Sequence, residues 1–152
     1  MKLAEALILR ADCQKRLGQV KSRLLTNVKI QEGDTPAETP QDLFAELDRV
    51  STELRDLIKR INRTNSATIF AGPVTLSDAL AERDVLALER NIYMHLAETA
   101  SVTRDRLTRS EVKYVATINV AETQRRADEL AKNYRELDTR IQQLNWLTEL
   151  TE

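Results

Sequence analysis

Residues 40–62 read PQDLFAELDRVSTELRDLIKRIN. Leu43, Leu47, Val50, Leu54, Leu57 and Ile61 recur in an unbroken alternation of four and three. That step keeps side chains on one stripe of an α-helix and makes a coiled-coil-like seam. Phe44 and Ile58 flank it. Upstream, Thr39 is suited to cap the helix, with Pro40 at its first position and Asp42 three residues after the cap. Such residues satisfy or tolerate the unpaired amide groups of a helix start. A helix over 40–62 follows.

The same alternation returns near the end of the chain. Ala127, Leu130, Tyr134, Leu137, Ile141 and Leu144 predict a helix over 120–148, with Trp146, Leu147 and Leu150 as an apolar tail. Asn119 and Glu122 make a cap-and-box start for it. Ala6, Leu9, Cys13, Leu17, Val20, Leu24 and Val28 put a third stripe on a helix over 2–28. Thr75 and Asp78 open a fourth helix, over 76–101, whose apolar residues are Leu80, Val85, Leu88, Ile92, Leu96 and Ala97.

Between these lie loops and two candidate strands. Residues 31–40 hold Gly33, Pro36 and Pro40 and are acidic without a Lys or Arg. Residues 67–71 suit a short extended piece that Gly72-Pro73 stops. Residues 112–118 alternate with period two through Val112, Tyr114, Ala116 and Ile118. A strand is favoured there, although Tyr114 and Ile118 also fit a helical face.

The expected fold is therefore mainly all-α: an antiparallel four-helix bundle in a single domain, 1–152, with two short extended segments. In an up-down bundle those segments fall at opposite ends. A lone strand leaves backbone groups unpaired, so an inter-subunit β element is expected, and with it a homo-oligomer. Ile69, Phe70, Val74, Val115 and Trp146, apolar residues outside the main stripes, point the same way or close the bundle ends.

Composition narrows the function classes. Of 152 residues, 41% are hydrophobic and 31% charged, which suits amphipathic helices. The three Gly and three Pro are too few for the many turns of an all-β fold. A net charge of -1 supplies no overall attraction to nucleic acid or anionic membrane. No apolar run approaches the ~20 residues of a membrane helix, and Glu5 and Arg10 break up any leader. Cys13, the one cysteine, forms no internal disulfide and reads as a buried small hydrophobe. A cytoplasmic protein is expected.

Four segments carry a resemblance: residues 1–7 (MKLAEAL), 60–65 (RINRTN), 76–84 (LSDALAERD) and 134–138 (YRELD). Through them the chain resembles, nearly end to end, small bacterial helical proteins sometimes labelled septicolysin. The resemblance implies a bacterial source and a helical fold, and it brings no catalytic residues. The label implies membrane lysis, for which the sequence offers neither a spanning segment nor a strongly cationic amphipathic helix.

Chemistry finds few footholds. His95 is the only histidine, and Ile92 stands where the Glu of a Glu-x-x-His metal pair belongs. No metal site and no cofactor is expected. A partly buried structural histidine is. Three isolated glycines cannot write a phosphate loop. The best polar cluster is Arg60, Asn62, Arg63, Thr64 and Asn65 with Arg83 and Asp84. Guanidinium forks and amides suit an anionic ligand, while capping and turn formation account for the same residues structurally. A second cluster, Arg104, Arg106, Arg109 and Lys113 with Arg125 and Arg126, is diluted by Asp105 and Glu111 and has only Tyr114 for stacking. The expected function is a non-enzymatic, homo-oligomeric scaffold or protein-interaction protein. An anion site at Arg60, Asn62, Arg63, Asn65 and Arg83 is the alternative.

Overall fold

The computed structural model describes residues 1–102 and 112–152. Among the described residues there are four helices: α1 (Leu3–Asn27), α2 (Pro40–Ala67), α3 (Leu76–Ala100) and α4 (Val120–Leu147). Between α2 and α3 lies a two-stranded hairpin, β1 (Ile69–Ala71) and β2 (Val74–Thr75). The mainly α fold expected from the seams is the fold observed. The described residues divide into two compact units, Met1–Ile69 with Leu144–Glu152, and Phe70–Gln143.

In the first unit α1 and α2 run antiparallel: Arg16 pairs with Glu53 and Arg23 with Glu46, rising numbers against falling ones. Their inward stripes are those the periodicity predicts. Ala6, Cys13 and Val20 of α1 and Leu43, Val50, Leu57 and Ile61 of α2 are buried. Two α1 assignments differ. Leu9 and Val28 are exposed, and Asn27, not Val28, closes the stripe. The Asn27 amide donates to the Arg23 carbonyl (2.8 Å), and its oxygen accepts the Glu38 backbone N–H (2.9 Å), so a polar side chain is buried with both ends satisfied. At the start of α2, Thr39 holds the cap position through its carbonyl, which accepts from Asp42 and Leu43. Its hydroxyl makes no cap bond.

α2 continues five residues beyond its expected end at 62. Thr64 extends the buried stripe by one more step, bonds back to the Arg60 carbonyl (2.8 Å) and accepts the backbone N–H of Thr151 (2.9 Å). Tertiary anchoring thus outweighs the turn preference of Asn62, Asn65 and Ser66. The same unit joins both ends of the chain. Leu3 N–H donates to Thr148 O (2.9 Å), Leu150 N–H donates to Met1 O (2.8 Å), and Lys2 bridges Glu149.

The strand expected at 67–71 is shorter, at 69–71, and it has a partner within the chain. Gly72, at φ +55°, takes the first central position of a two-residue turn, where only glycine is comfortable, and Pro73 the second. Gly72-Pro73 is a hairpin turn, not a stop, and β1 does not need another subunit to pair it. At 112–118 no strand forms. These residues have no regular structure and are exposed, and among the described residues no strand lies beside them to supply a ladder.

In the second unit α3 and α4 are also antiparallel, since Arg83 meets Asp138 and Arg90 lies over Tyr134. Thr75 caps α3 reciprocally: its hydroxyl accepts the Asp78 N–H, and the Asp78 carboxylate accepts from Thr75 N–H (2.9 Å) and hydroxyl (2.7 Å). On α4, Ala127, Leu130 and Ile141 are buried as the seam predicts.

Candidate functional site

α3 departs from its sequence pattern in the way that matters most. Leu80, Val85, Leu88, Ile92, Leu96 and Ala97 were expected to face inward. Ala97 is buried and Leu80 half-buried, but Val85 is 52% exposed, Leu88 64%, Ile92 58% and Leu96 47%. Ser77, Leu80, Ala87 and Ala100 are half-buried, and the main sheltered row is Leu76, Ala79, Arg83, Leu86, Arg90, Tyr93 and Ala97. They too follow steps of three and four, on the opposite side of the helix. Three of them are polar.

Those three work against α4 and beside it. Arg83 donates to Asp138 (3.0 Å) and to its neighbour Asp84 (3.0 Å). Burial works against the Arg83 charge, but the hydrogen bonds to the two carboxylates outweigh it and its pKa is raised. The Arg90 guanidinium sits 5.4 Å from the centre of the Tyr134 ring, a cation–π distance. Its Nε is shielded from solvent and has no hydrogen-bond partner among the described residues. Tyr93 lies beside Arg126, whose pKa is raised chiefly by its hydrogen bond to Glu129 (2.8 Å). The inner face of α3 therefore mixes apolar residues with Arg83, Arg90 and Tyr93, and its outer face is an apolar stripe.

The stripe does not end with the helix. Leu96 shares an apolar cleft of about 510 Å³ with Thr99, Ala100, Val102 and residues 114–118. Val102, Tyr114, Val115 and Ile118 are themselves 42% to 84% exposed. The rim is acidic: Glu82, Asp84, Glu89 and Glu98 are exposed, while both α3 arginines face inward. His95 lies on this outer side and is exposed, contrary to the partly buried histidine expected.

The residues of the expected anion site fall in different units. Arg60, Asn62, Arg63 and Asn65 belong to the first, Arg83 to the second. Arg60 Nε donates to the Thr151 carbonyl (3.0 Å) and Arg63 reaches the Glu152 carbonyl (3.5 Å). Asn62 is exposed and Asn65 half-buried. Of the second basic cluster, Arg104, Arg106 and Arg109 lie outside the described residues. Lys113 is exposed, and Arg125 and Arg126 line a cleft of about 530 Å³ with Tyr93, Asn119, Glu122, Thr123 and Glu129. Two carboxylates face those two guanidiniums, so the cleft is close to neutral.

Cys13 is buried as expected, 1% exposed. Desolvation raises its thiol pKa, and the nearby Glu53 carboxylate raises it further. It is an unreactive thiol. Among the described residues, no group of three His, Cys, Asp or Glu is arranged to hold a metal ion. None of the described helices is long and apolar enough to cross a membrane.

Comparison with known proteins agrees with the fold and assigns no chemistry. The model of a family of unknown function, DUF6847, matches residues 10–150. A crystal structure described as a functionally unknown conserved protein from Corynebacterium diphtheriae is 48% identical, with a TM-score of 0.93 over 99% of each chain. No curated protein matches the chain.

Proposed function

Because the chain belongs to this family of unknown function, we propose a role from its surface: a non-enzymatic scaffold that acts by self-association, with the outer face of α3 as its docking surface. The carrying observation is the reversal of α3. Val85, Leu88, Ile92 and Leu96 form a continuous apolar stripe on the exposed side of a helix whose sheltered side holds Arg83, Arg90 and Tyr93. A helix that had only to pack within its own chain would be stabilised by the opposite orientation.

Magnitudes support an interface. The four stripe residues expose roughly 400 Å² in total, within the ~300–600 Å² of the largest patches on monomers, which are often functional. With Val102, Tyr114, Val115 and Ile118 the area is roughly 800 Å², the share each partner contributes to a standard interface. Covering the stripe alone is worth about 10 kcal/mol at ~25 cal/mol/Å². That is comparable to the ~4–15 kcal/mol that association costs in lost freedom.

Light scattering behind a size-exclusion column, with absorbance at 260 and 280 nm, tests the reading. Wild type is expected at a multiple of 17.4 kDa without nucleic acid. Leu88→Glu with Ile92→Glu is expected at the single-chain mass with unchanged helicity. A wild-type monomer at high micromolar concentration sinks the self-association reading.

A further inference from the structure

We propose that the outer face of α3 is also the receptor for a cationic amphipathic helix carried by a different protein. This goes beyond self-association and gives the same stripe a second partner of stated chemistry.

The stripe sets the form of the occupant. Val85, Leu88, Ile92 and Leu96 advance by three or four residues along one side of α3, and from first to last they cover about 16 Å at ~1.5 Å per residue. A helix with apolar residues at the same spacing covers such a stripe along its own apolar face. At its far end the stripe opens, through Leu96, into the apolar cleft of about 510 Å³, which has room for one larger apolar anchor. Stripe and cleft both lie in the second compact unit.

Charge sets the sign of the occupant. Asp78, Glu82, Asp84, Glu89 and Glu98 are all exposed, and no Lys or Arg of α3 is. Asp78, Glu82 and Glu89 run in steps of four and seven along one side of the stripe, and Asp84, four residues before Leu88, lies on the other. Lys113 is the one basic residue in the segment 112–118 that borders the cleft. An acidic rim around an apolar strip attracts a helix with basic flanks and rejects one with acidic flanks.

These carboxylates are not neutralised within the chain. Elsewhere the exposed Glu53, Glu129, Glu136 and Glu149 meet Arg16, Arg126, Lys132 and Lys2. On α3 the ion pairs are those of Arg83 with Asp84 and Asp138, and Glu82, Glu89 and Glu98 have none among the described residues. Asp78 and Glu82, four apart, also set like charges side by side, which destabilises a helix. A cation from outside converts that repulsion into attraction.

A second copy does not supply the complement. Exposed acidic and basic residues number two and two on α1, four and four on α2, and four and five on α4. None of the described helices presents a strongly positive face, so the cationic occupant comes from another protein.

A designed probe tests this on the full chain. It is a fluorescein-labelled peptide of about 14 residues, roughly four helical turns, with Leu at steps of three and four and Lys elsewhere. The control peptide has Glu for every Lys. Fluorescence anisotropy is expected to show the Lys peptide binding at least about tenfold more tightly than the Glu peptide at low salt, and the gap to narrow as salt screens the charges. Leu88→Glu with Ile92→Glu is expected to lose the Lys peptide, although attraction by charge alone would grow with two added carboxylates. Glu82→Lys with Glu89→Lys is expected to shift the preference towards the Glu peptide. Circular dichroism checks that each variant is folded, and the comparison of the two peptides on wild type needs no variant. A Lys peptide that does not bind wild type, that binds no better than the Glu peptide, or that binds the folded Leu88→Glu, Ile92→Glu chain undiminished overturns the proposal. Because both partners use one stripe, saturating Lys peptide is expected to bring an oligomeric wild type to the single-chain mass. A wild-type monomer that binds the Lys peptide overturns self-association alone, and an oligomer that ignores the peptide overturns this proposal alone.

Discussion

Asn27→Ala tests how the long loop between α1 and α2 is held, because two kinds of bond compete there. Arg23 looks dominant. It donates through Nε and Nη2 to Glu38 and through Nη1 to Glu46 (2.9 Å). Yet Arg23 and Glu38 side chains are 40% and 41% exposed, and water and salt screen such pairs. Asn27 makes only two bonds, but it is 6% exposed. Truncation removes both at ~0.5–1.5 kcal/mol each and strands the Glu38 N–H with little water to replace its partner. The expected loss is about 2 kcal/mol, or a fall of about 4–8 °C in Tm for a chain of this size. Arg23→Gln is expected to cost less, and its cost to shrink between 0.05 and 1 M NaCl, whereas the Asn27→Ala loss is insensitive to salt. Urea unfolding measures both, and hydrogen exchange at the Glu38 amide reports the local effect. Arg23→Gln costing more than Asn27→Ala at high salt would refute the argument that burial, not bond number, sets the magnitude.

Further outcomes follow from burial, capping and charge. Ile141→Ala, at a fully buried position, is expected to cost about 2–5 kcal/mol, while Leu88→Ala changes the stability of the single chain by less than about 0.5 kcal/mol, both read by urea unfolding of dilute protein. Thr75→Ala removes a reciprocal cap and is expected to cost about 1 kcal/mol, with faster exchange of the Asp78 amide. Gly18→Ala is expected to raise stability by about 0.5–1 kcal/mol in dilute protein; a loss would show that the Cβ meets an obstacle within the chain. Glu38, Asp78 and Glu149 are held below the usual carboxylate range by hydrogen bonds, to Arg23, to Thr75, and to Lys2 with the Met1 amine respectively. A lowered folded pKa adds stability that is present above the unfolded value and vanishes as pH falls through the folded one. Unfolding midpoints are therefore expected to hold from neutral pH to about 5 and to fall below about 4. Glu38→Gln should flatten part of that fall.

The helices and their approximate positions were legible because apolar residues recur at helical spacing in four segments, most cleanly in α2 and α4. On α2 and α4 the stripe found by spacing is also the buried one: Val50, Leu57, Leu130 and Ile141 are sheltered. On α3 the same spacing located the apolar stripe but not what it faces. Periodicity shows that a helix is two-sided, and only the tertiary partners decide which side is covered. Arg83 and Arg90 found Asp138 and Tyr134, contacts 55 and 44 residues away that no local pattern announces. β2 escaped notice because two residues, Val74 and Thr75, are too short to show alternation. Gly72-Pro73 was read as a stop since a turn and a stop use the same residues. The polar run 62–65 looked like a ligand cluster or a turn, and it is helix because Thr64 holds a distant backbone amide.

The bond from Thr151 to Thr64 spans 87 positions, and this sets an order in time. During synthesis at ~5–20 residues per second, α2 waits roughly 4–17 seconds before the segment that covers its last turn exists. Over that interval the α1–α2 hairpin, local and quick to form, stands with Leu3, Ile61 and Thr64 still uncovered. The same chain has by then produced the outward stripe of α3. For several seconds each nascent molecule exposes Leu3, Ile61 and Thr64 as well as the lasting apolar stripe of α3, and only the arrival of residues 148–151 covers the first.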